Sequence, residues 1–182
     1  MKVESTHIPD VKLITPQVFG DERGFFMEVW NHNTYEKLGL PTHFVQDNHS
    51  KSSRNTLRGL HYQLQHPQGK LVRVTQGSVY DVAVDMRKTS PTFGQWVGMT
   101  LSAENKIMAW IPEGFAHGFY VTSDTAEFQY KCTDIYAPTG ERTLMWNDPS
   151  LKIDWPIPEN TSPLISEKDA IGSAFDHADF YA

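Results

Sequence analysis

The chain is divided into short strand-like stretches that follow one another at intervals of roughly ten residues, with turn residues between them. Such stretches occupy residues 71–74, 78–86, 96–101, 106–111 and 126–133. Almost nowhere do apolar residues recur at the spacing of about 3.6 residues that an amphipathic helix requires. This pattern predicts an all-β protein, an antiparallel sandwich or barrel in which jelly rolls are among the candidates.

A few short helices are expected at the periphery of this barrel. Residues 34–38 form a short helical stretch, with Asn33 as the predicted N-cap and Gly39 as the stop. Residues 166–169 (SEKD) are suited to cap a second short helix near the C-terminus. Residues 12–18 are bounded by prolines, which predicts an opening edge strand.

Length and composition point to one domain. With 182 residues, 39% of them hydrophobic and 21% charged, the chain can bury a substantial core. Prolines become frequent from residue 147 onward, so residues 147–182 are expected to wrap around the barrel within a single domain that spans residues 1–182. Short exposed strands often bury an edge in a second subunit, and we therefore expect a homodimer.

The charge and the single cysteine limit the classes of partner. A formal net charge of −6 argues against nonspecific binding to nucleic acid, although a local basic pocket for a phosphorylated small molecule remains compatible with it. Cys132 alone forms neither an internal disulfide nor a cysteine zinc site, which suits a reducing cytoplasm. No stretch approaches the roughly 18 apolar residues of a membrane span. We expect a cytoplasmic protein that binds neither nucleic acid nor membrane.

One predicted strand carries polar residues where a core would need apolar ones. Strict alternation over residues 57–63 places Leu57, Gly59, His61 and Gln63 on one face of this strand. A histidine and an amide on that face indicate a binding cavity inside a sheet protein. Our hypothesis is that His61 is the reactive group, and the alternative of a hydrogen-bonded core histidine stays open at this point.

Two histidine segments resemble the two motifs of the cupin superfamily, whose members are small jelly-roll barrels. The segments are residues 59–63 (GLHYQ) and residues 112–117 (PEGFAH), the second with a proline-x-glycine turn. His61 and His117 stand at two positions that bind a metal ion in many cupins. The resemblance therefore implies a cupin-type barrel.

Two substitutions at the other cupin ligand positions argue against a metal. Gln63 and Lys70 stand where a second histidine and a glutamate would be. An amide is a poor ligand for transition metals, and an ammonium group repels a cation. We expect a site without metal or cofactor that works by acid–base chemistry.

A closer resemblance, to the dTDP-4-dehydrorhamnose 3,5-epimerase family, covers about residues 1–170 in uninterrupted order. Seven motifs carry it in register. They are residues 19–26 (FGDERGFF), 46–50 (QDNHS), 57–63 (LRGLHYQ), 68–70 (QGK), 110–119 (WIPEGFAHGF), 130–133 (YKCT) and 146–149 (WNDP).

This resemblance implies inversion of carbons 3 and 5 of a dTDP-linked 4-keto-6-deoxyhexose. Protons beside a ketone become acidic when the resulting enolate is stabilised, so a base, an acid and a cation are needed. By resemblance His61 is the base, Asp169 orients and charges it, and Tyr130 is the acid on the opposite face. Lys70 faces the enolate oxygen, with His117 beside it.

The resemblance also implies the residues that bind the substrate. The planar guanidinium group of arginine suits phosphate oxygens, which independently favours Arg23 and Arg58 as binding residues. Phe26 is suited to stack on thymine. The implied binding residues are Arg23, Phe26, Glu28, Gln46, Asn48, Arg58, Lys70, His117, Glu141 and Lys168.

Two other functions remain open from the sequence. A relative within the same family would epimerise a single carbon or isomerise the keto group of a related nucleotide sugar. A non-catalytic sugar-binding cupin is the other, although a binding module has no need of a proton donor such as Tyr130. For Asp81 and Asp85 we expect structural hydrogen bonding, with a supporting role behind His117 as the alternative.

Overall fold

The computed structural model describes residues 1–182 and contains thirteen strands, two short α-helices and two 3-10 turns. The helices are α1 (His32–Lys37) and α2 (Glu167–Ala170), and the 3-10 turns are Pro138–Gly140 and Phe175–His177. No helix is long and apolar enough to cross a membrane. The strands are β1 (Lys2–Ser5), β2 (Lys12–Thr15), β3 (Val18–Asp21), β4 (Gly24–Met27), β5 (Gln46–Ser53), β6 (Leu57–Gln63), β7 (Lys70–Gln76), β8 (Ser78–Asp85), β9 (Trp96–Ser102), β10 (Met108–Ile111), β11 (Phe115–Val121), β12 (Thr125–Cys132) and β13 (Glu141–Thr143).

The strands form two sheets that face each other and one separate hairpin. The first sheet has the order β1-β2-β10-β7-β12-β5, the second has the order β13-β6-β11-β8-β9, and β3 pairs only with β4. Every pairing between these strands is antiparallel. The prediction of an all-β, cupin-type jelly-roll barrel with a few short peripheral helices is confirmed.

Apolar residues from both sheets fill the space between them. Val72 and Phe128 from the six-stranded sheet belong to the same buried cluster as Phe119 from the five-stranded sheet. The rings of Phe119 and Phe128 stack with their centroids 4.4 Å apart, and the His117 ring lies 6.1 Å from that of Phe128. The packed core thus ends against a histidine, where the polar part of the interior begins.

Each sheet also buries its outer face. Residues 147–182 lie over the five-stranded sheet, where Leu151 and Trp155 pack with β6, β8 and β11. The segment around α1 covers the six-stranded sheet, where Tyr35 packs against Trp110 and Met108. These coverings allow both sheets to be apolar on two sides.

Two local predictions near the N-terminus are wrong. Residues 12–15 form β2, which pairs on both sides, and the edge strand is instead β1. Helix α1 begins at His32 because the Asn31 side chain accepts the backbone N–H of Thr34, at 3.2 Å, so Asn33 is not the N-cap. The second predicted cap is confirmed, since Ser166 Oγ accepts the N–H of Asp169 at the start of α2.

The predicted alternation of β6 fails at Gly59. Leu57 packs in the same cluster as Leu60 and Tyr62, although strict alternation would place it beside His61. The pairing of β6 with β11 shifts register at this point. Gly59 has a φ of +107°, and a Cβ built on it would lie 2.6 Å from the carbonyl oxygen of His117. Only glycine permits this close approach of the two histidine-bearing strands.

Candidate active site

His61 forms a short hydrogen bond with a buried carboxylate from the C-terminal segment. Its Nε2 lies 2.5 Å from Oδ1 of Asp169, which α2 carries over β6. Burial alone would raise the pKa of Asp169, but the hydrogen bond and the charge interaction with His61 lower it below its usual value. The ionised carboxylate places the imidazole proton on Nε2, which leaves Nδ1 as the basic atom.

Two further reactive groups come from the opposite sheet. Tyr130 lies on β12 and Lys70 on β7, both in the six-stranded sheet, whereas His61 belongs to the five-stranded sheet. Burial is the main cause that raises the pKa of Tyr130, so the phenol keeps its proton at neutral pH. Burial lowers the pKa of Lys70, and the nearby carboxylates of Asp81 and Glu141 act in the opposite direction.

A cavity of about 320 Å³ connects these groups. Its volume lies within the range of small-molecule sites, roughly 300–1,000 Å³. Six residues that the sequence predicted line it together. They are Gln46, Asn48, His61, Lys70, Tyr130 and Glu141.

A second cleft, of about 440 Å³, adjoins the first and shares His61 with it. Arg58, Lys168 and Asp169 line this cleft. Arg58 donates through Nε to Ser52 Oγ at 2.9 Å, which leaves its two Nη groups for a ligand. The two clefts thus place the cationic side chains of Lys70, Arg58 and Lys168 around His61, which both clefts share.

Glu141 links the two clefts. Its Oε1 lies 2.5 Å from Nζ of Lys168, and its Oε2 accepts the hydroxyl of Tyr136 at 2.7 Å. Burial alone would raise the pKa of Glu141, but these two partners lower it below its usual value. A charged Glu141 therefore ties β13 to both α2 and the loop after β12.

His117 lies behind the cavity as one half of a buried pair. It faces His61 across β11 and β6, is 7% exposed, and hydrogen-bonds through Nε2 to both oxygens of Asp81 at 2.9 and 3.1 Å. Burial raises the pKa of Asp81, and His117 opposes that rise. No group of three or more His, Cys, Asp or Glu side chains is arranged to hold a metal ion.

Asp85, the other uncertain carboxylate, is separate from this pair. It accepts hydrogen bonds from Arg87, Ser90 and Thr92 and fixes the loop after β8. Its role is therefore structural, and Asp81 is the carboxylate that supports His117.

Three predicted binding residues lie away from the His61 cavity. Arg23, Phe26 and Glu28 lie on or just after the β3–β4 hairpin, and the first two line a separate groove. Arg23 pairs with Asp21, Phe26 is 70% exposed, and Glu28 accepts the hydroxyl of Thr34. One chain alone does not bring these three side chains to its own cavity.

Sequence reasoning missed four residues that line the cavity, namely Tyr62, Gln63, Gln68 and Tyr136. The first three stand in the quoted motifs, where the pattern marks Gln63 only as a missing metal ligand. Tyr136 follows the strand of Tyr130 in a turn, where two consecutive apolar residues, Ile135 and Tyr136, were an unused signal.

Comparison with known proteins identifies the family. A sequence model described as dTDP-4-dehydrorhamnose 3,5-epimerase matches residues 5–177. The chain belongs to this epimerase family. A dTDP-4-dehydrorhamnose 3,5-epimerase from Pseudomonas aeruginosa is 60% identical over 182 residues, which is 100% of this chain and 99% of that relative.

Solved structures of family members agree with this assignment. A dTDP-6-deoxy-D-glucose-3,5-epimerase from Legionella pneumophila in complex with dTDP-4-keto-L-rhamnose is 53% identical, with a TM-score of 0.94 over 98% of this chain and 94% of that one. A 3′-monoepimerase from Streptomyces bikiniensis in complex with dTDP-quinovose is 30% identical, with a TM-score of 0.87 over 94% of this chain and 87% of that one. The family resemblance stated from the motifs is confirmed.

Proposed function

We propose that this protein inverts carbons 3 and 5 of dTDP-4-dehydro-6-deoxy-D-glucose and forms dTDP-4-dehydro-L-rhamnose. One observation carries the proposal. His61, paired with a buried carboxylate, and Tyr130, a protonated phenol, line the same cavity from opposite sheets. Inversion at a carbon requires that the proton leave on one face and return on the other, and two groups on opposite walls meet that requirement.

The steps follow from the positions of the groups. Nδ1 of His61 takes the proton from the carbon beside the ketone, and the electron pair moves into the ketone to give an enolate. The imidazolium is stabilised by Asp169, and the ammonium of Lys70 stabilises the enolate oxygen. Tyr130 then donates its proton to the other face of the carbon. Solvent reprotonates Tyr130 and takes the proton from His61 before the second carbon reacts.

The adjoining cleft supplies groups for the diphosphate and the sugar. The free Nη groups of Arg58 and the ammonium of Lys168 are suited to phosphate oxygens. Gln46 and Asn48 contribute amides on the other side of the cavity. The protein acts without metal or cofactor in this proposal, in a cytoplasm that keeps Cys132 reduced.

Deuterium incorporation tests the reaction. In deuterated water the wild-type protein should convert the substrate into a product with two deuterons, because both donated protons come from exchangeable sites. His61→Gln should abolish exchange at both carbons. His49→Gln, which changes an exposed histidine on the outside of β5, is the matched control.

Other results would lead to other conclusions. One deuteron would identify the single-carbon alternative, which the similarity to a 3′-monoepimerase makes a specific competitor. No deuterium in a substrate that demonstrably binds would identify a non-catalytic sugar-binding cupin.

We also propose a homodimer in which the β3–β4 hairpin of one subunit reaches the cavity of the other. Phe25 and Phe26 are 61% and 70% exposed on this hairpin, and large exposed aromatic residues are typical of interfaces. In such a dimer Arg23, Phe26 and Glu28 reach the His61 cavity of the partner subunit, although they do not reach the cavity of their own chain.

Complementation between two inactive variants tests this arrangement. A His61→Gln subunit and an Arg23→Glu subunit should restore activity when they are unfolded and refolded together. Random pairing gives one intact site in half of the dimers, which corresponds to about one quarter of wild-type activity. If Arg23 serves its own subunit, the mixture stays as inactive as the separate variants.

A further inference from the structure

A serine from one sheet holds an arginine from the other sheet. Ser52 lies on β5, in the six-stranded sheet, and Arg58 lies on β6, in the five-stranded sheet. The Ser52 hydroxyl oxygen accepts the Nε–H of Arg58 at 2.9 Å. Ser52 is 7% exposed, whereas Arg58 is exposed at the second cleft. The hydrogen bond therefore joins an exposed guanidinium group to a point that is fixed in the interior.

The guanidinium group of Arg58 has a neutral partner where most arginines of this chain have a charged one. Four of the six arginines form an ion pair with an aspartate. They are Arg23, Arg54, Arg87 and Arg142. Arg58 forms no such pair, and the hydroxyl of Ser52 takes the place of the carboxylate. Because a hydroxyl accepts a hydrogen bond without carrying a charge, it orients Arg58 and leaves its positive charge for an anion from outside the chain.

Among the lysines and arginines of the second cleft, Arg58 is the one without a carboxylate partner. Lys168 lines the same cleft, but its ammonium group lies 2.5 Å from a carboxylate oxygen of Glu141. An arginine side chain has several rotatable bonds, and their restriction on binding lowers the affinity for a ligand. The hydrogen bond to Ser52 restricts Arg58 before a ligand arrives, so the planar guanidinium group is oriented in advance.

We propose that Ser52 is a positioning residue for the anionic, diphosphate end of the substrate, because it orients the guanidinium group of Arg58 without neutralising it. This inference rests on the proposed function. The base is held by Asp169, and the acid lies on β12. Ser52 therefore acts on the binding of the anion and hardly on proton transfer.

Titration calorimetry with inorganic pyrophosphate tests the inference without any need for turnover. Ser52→Ala removes the acceptor of the Nε–H and should weaken pyrophosphate binding about three- to tenfold. Ser52→Thr keeps the hydroxyl and should bind within about twofold of wild type. Ser52→Asp still offers an acceptor to Arg58, but its charge neutralises the guanidinium group. It should therefore weaken binding more than Ser52→Ala does.

A double-mutant cycle and a kinetic measurement separate positioning from a general effect on folding. Arg58→Met removes the guanidinium group, so in that background Ser52→Ala should weaken pyrophosphate binding no further. With the sugar nucleotide, Ser52→Ala should raise KM by the factor found for pyrophosphate, while kcat changes less than about twofold. Ser53→Ala is the matched control, since it removes the exposed hydroxyl of the next residue on β5 and should leave binding unchanged.

The outcomes distinguish this inference from the proposed function. Equal weakening by Ser52→Ala in both backgrounds, or pyrophosphate binding that Ser52→Asp leaves intact, would overturn the role of Ser52. If the wild type exchanges protons while all the Ser52 variants bind pyrophosphate equally well, the inference fails and the proposed function stands. If the variants follow the expected order but the wild type exchanges no proton, the proposed reaction fails and Ser52 still orients Arg58 for an anion.

Discussion

Asp169→Asn is the substitution that most directly tests the catalytic pair. It keeps the size of the side chain and the N-terminal cap of α2, because Ser166 accepts the backbone N–H of residue 169 and not its carboxylate. It removes the negative charge that accepts the Nε2–H of His61 at 2.5 Å. The imidazolium that forms after proton abstraction then loses its counter-charge in a place where solvent cannot replace it, since Asp169 is only 4% exposed.

The expected loss follows from the strength of this contact. Hydrogen bonds that involve a charged group contribute about 1.5–3 kcal/mol, and burial keeps this one from being screened by solvent. Each 1.4 kcal/mol or so in the barrier changes the rate about tenfold. The turnover number should therefore fall roughly 10-fold to 150-fold. Because one base serves both carbons, exchange at carbon 3 and at carbon 5 should slow by the same factor.

The assay is the rate of deuterium incorporation at each carbon, resolved by nuclear magnetic resonance at saturating substrate. Glu167→Gln is the matched control, since it removes one negative charge from the same helix without contact with His61. It should retain the wild-type rate. An Asp169→Asn variant that exchanges within threefold of wild type, or that loses exchange at one carbon only, would refute the role assigned to the pair.

Two further predictions concern the acid and the stability of the barrel. Tyr130→Phe should keep deuterium exchange, because His61 remains, but the epimerised product should fall by about two to four orders of magnitude; normal inversion by chromatography would exclude Tyr130 as the acid. For Asp85, burial alone would raise the pKa, but hydrogen bonds from Arg87 and its neighbours lower it to about 2 from 3.8. Since the folded pKa lies below the unfolded one, the stabilisation is complete above about pH 4 and is lost as the pH falls towards 2. Asp85→Asn should lower the free energy of unfolding at pH 7 by about 2 kcal/mol. It should also weaken the fall of that free energy between about pH 4 and about pH 2, as measured by urea denaturation, and an unchanged fall would contradict the prediction.

The sequence predicted the fold because turns and short strands are local features. Alternating apolar residues and regular turn signals are sufficient to indicate an antiparallel barrel. Features that depend on contacts between residues far apart in the sequence could not be predicted. The shift at Gly59 arises from its contact with the His117 backbone, and the pairing of β2 on both sides depends on β1 and β10.

The candidate site could be predicted in part for a similar reason. The family resemblance predicted that His61, Tyr130 and Asp169 belong to one site, and the structure brings the three residues together in one region. The motifs did not reveal that the Gln63 amide is hydrogen-bonded within the protein, because two of its three partners, the backbones of Ile135 and Ala137, lie more than 70 residues away in a loop without a motif. Nor did they reveal that Arg23 lies apart from the cavity, because the distance between the β3–β4 hairpin and the cavity depends on how the chain folds and leaves no mark in the motif.

The pair of His61 and Asp169 has a consequence for the assembly of the enzyme. The two residues are 108 positions apart, and α2 must lie on β6 before they meet. During synthesis the strands of both sheets leave the ribosome before the carboxylate does. Until the C-terminal segment has docked, His61 lacks its carboxylate partner, and we expect the reaction to be slower than in the complete protein. A protease that cut between residue 147 and α2 and released the helix would reverse that order and remove the carboxylate that holds His61.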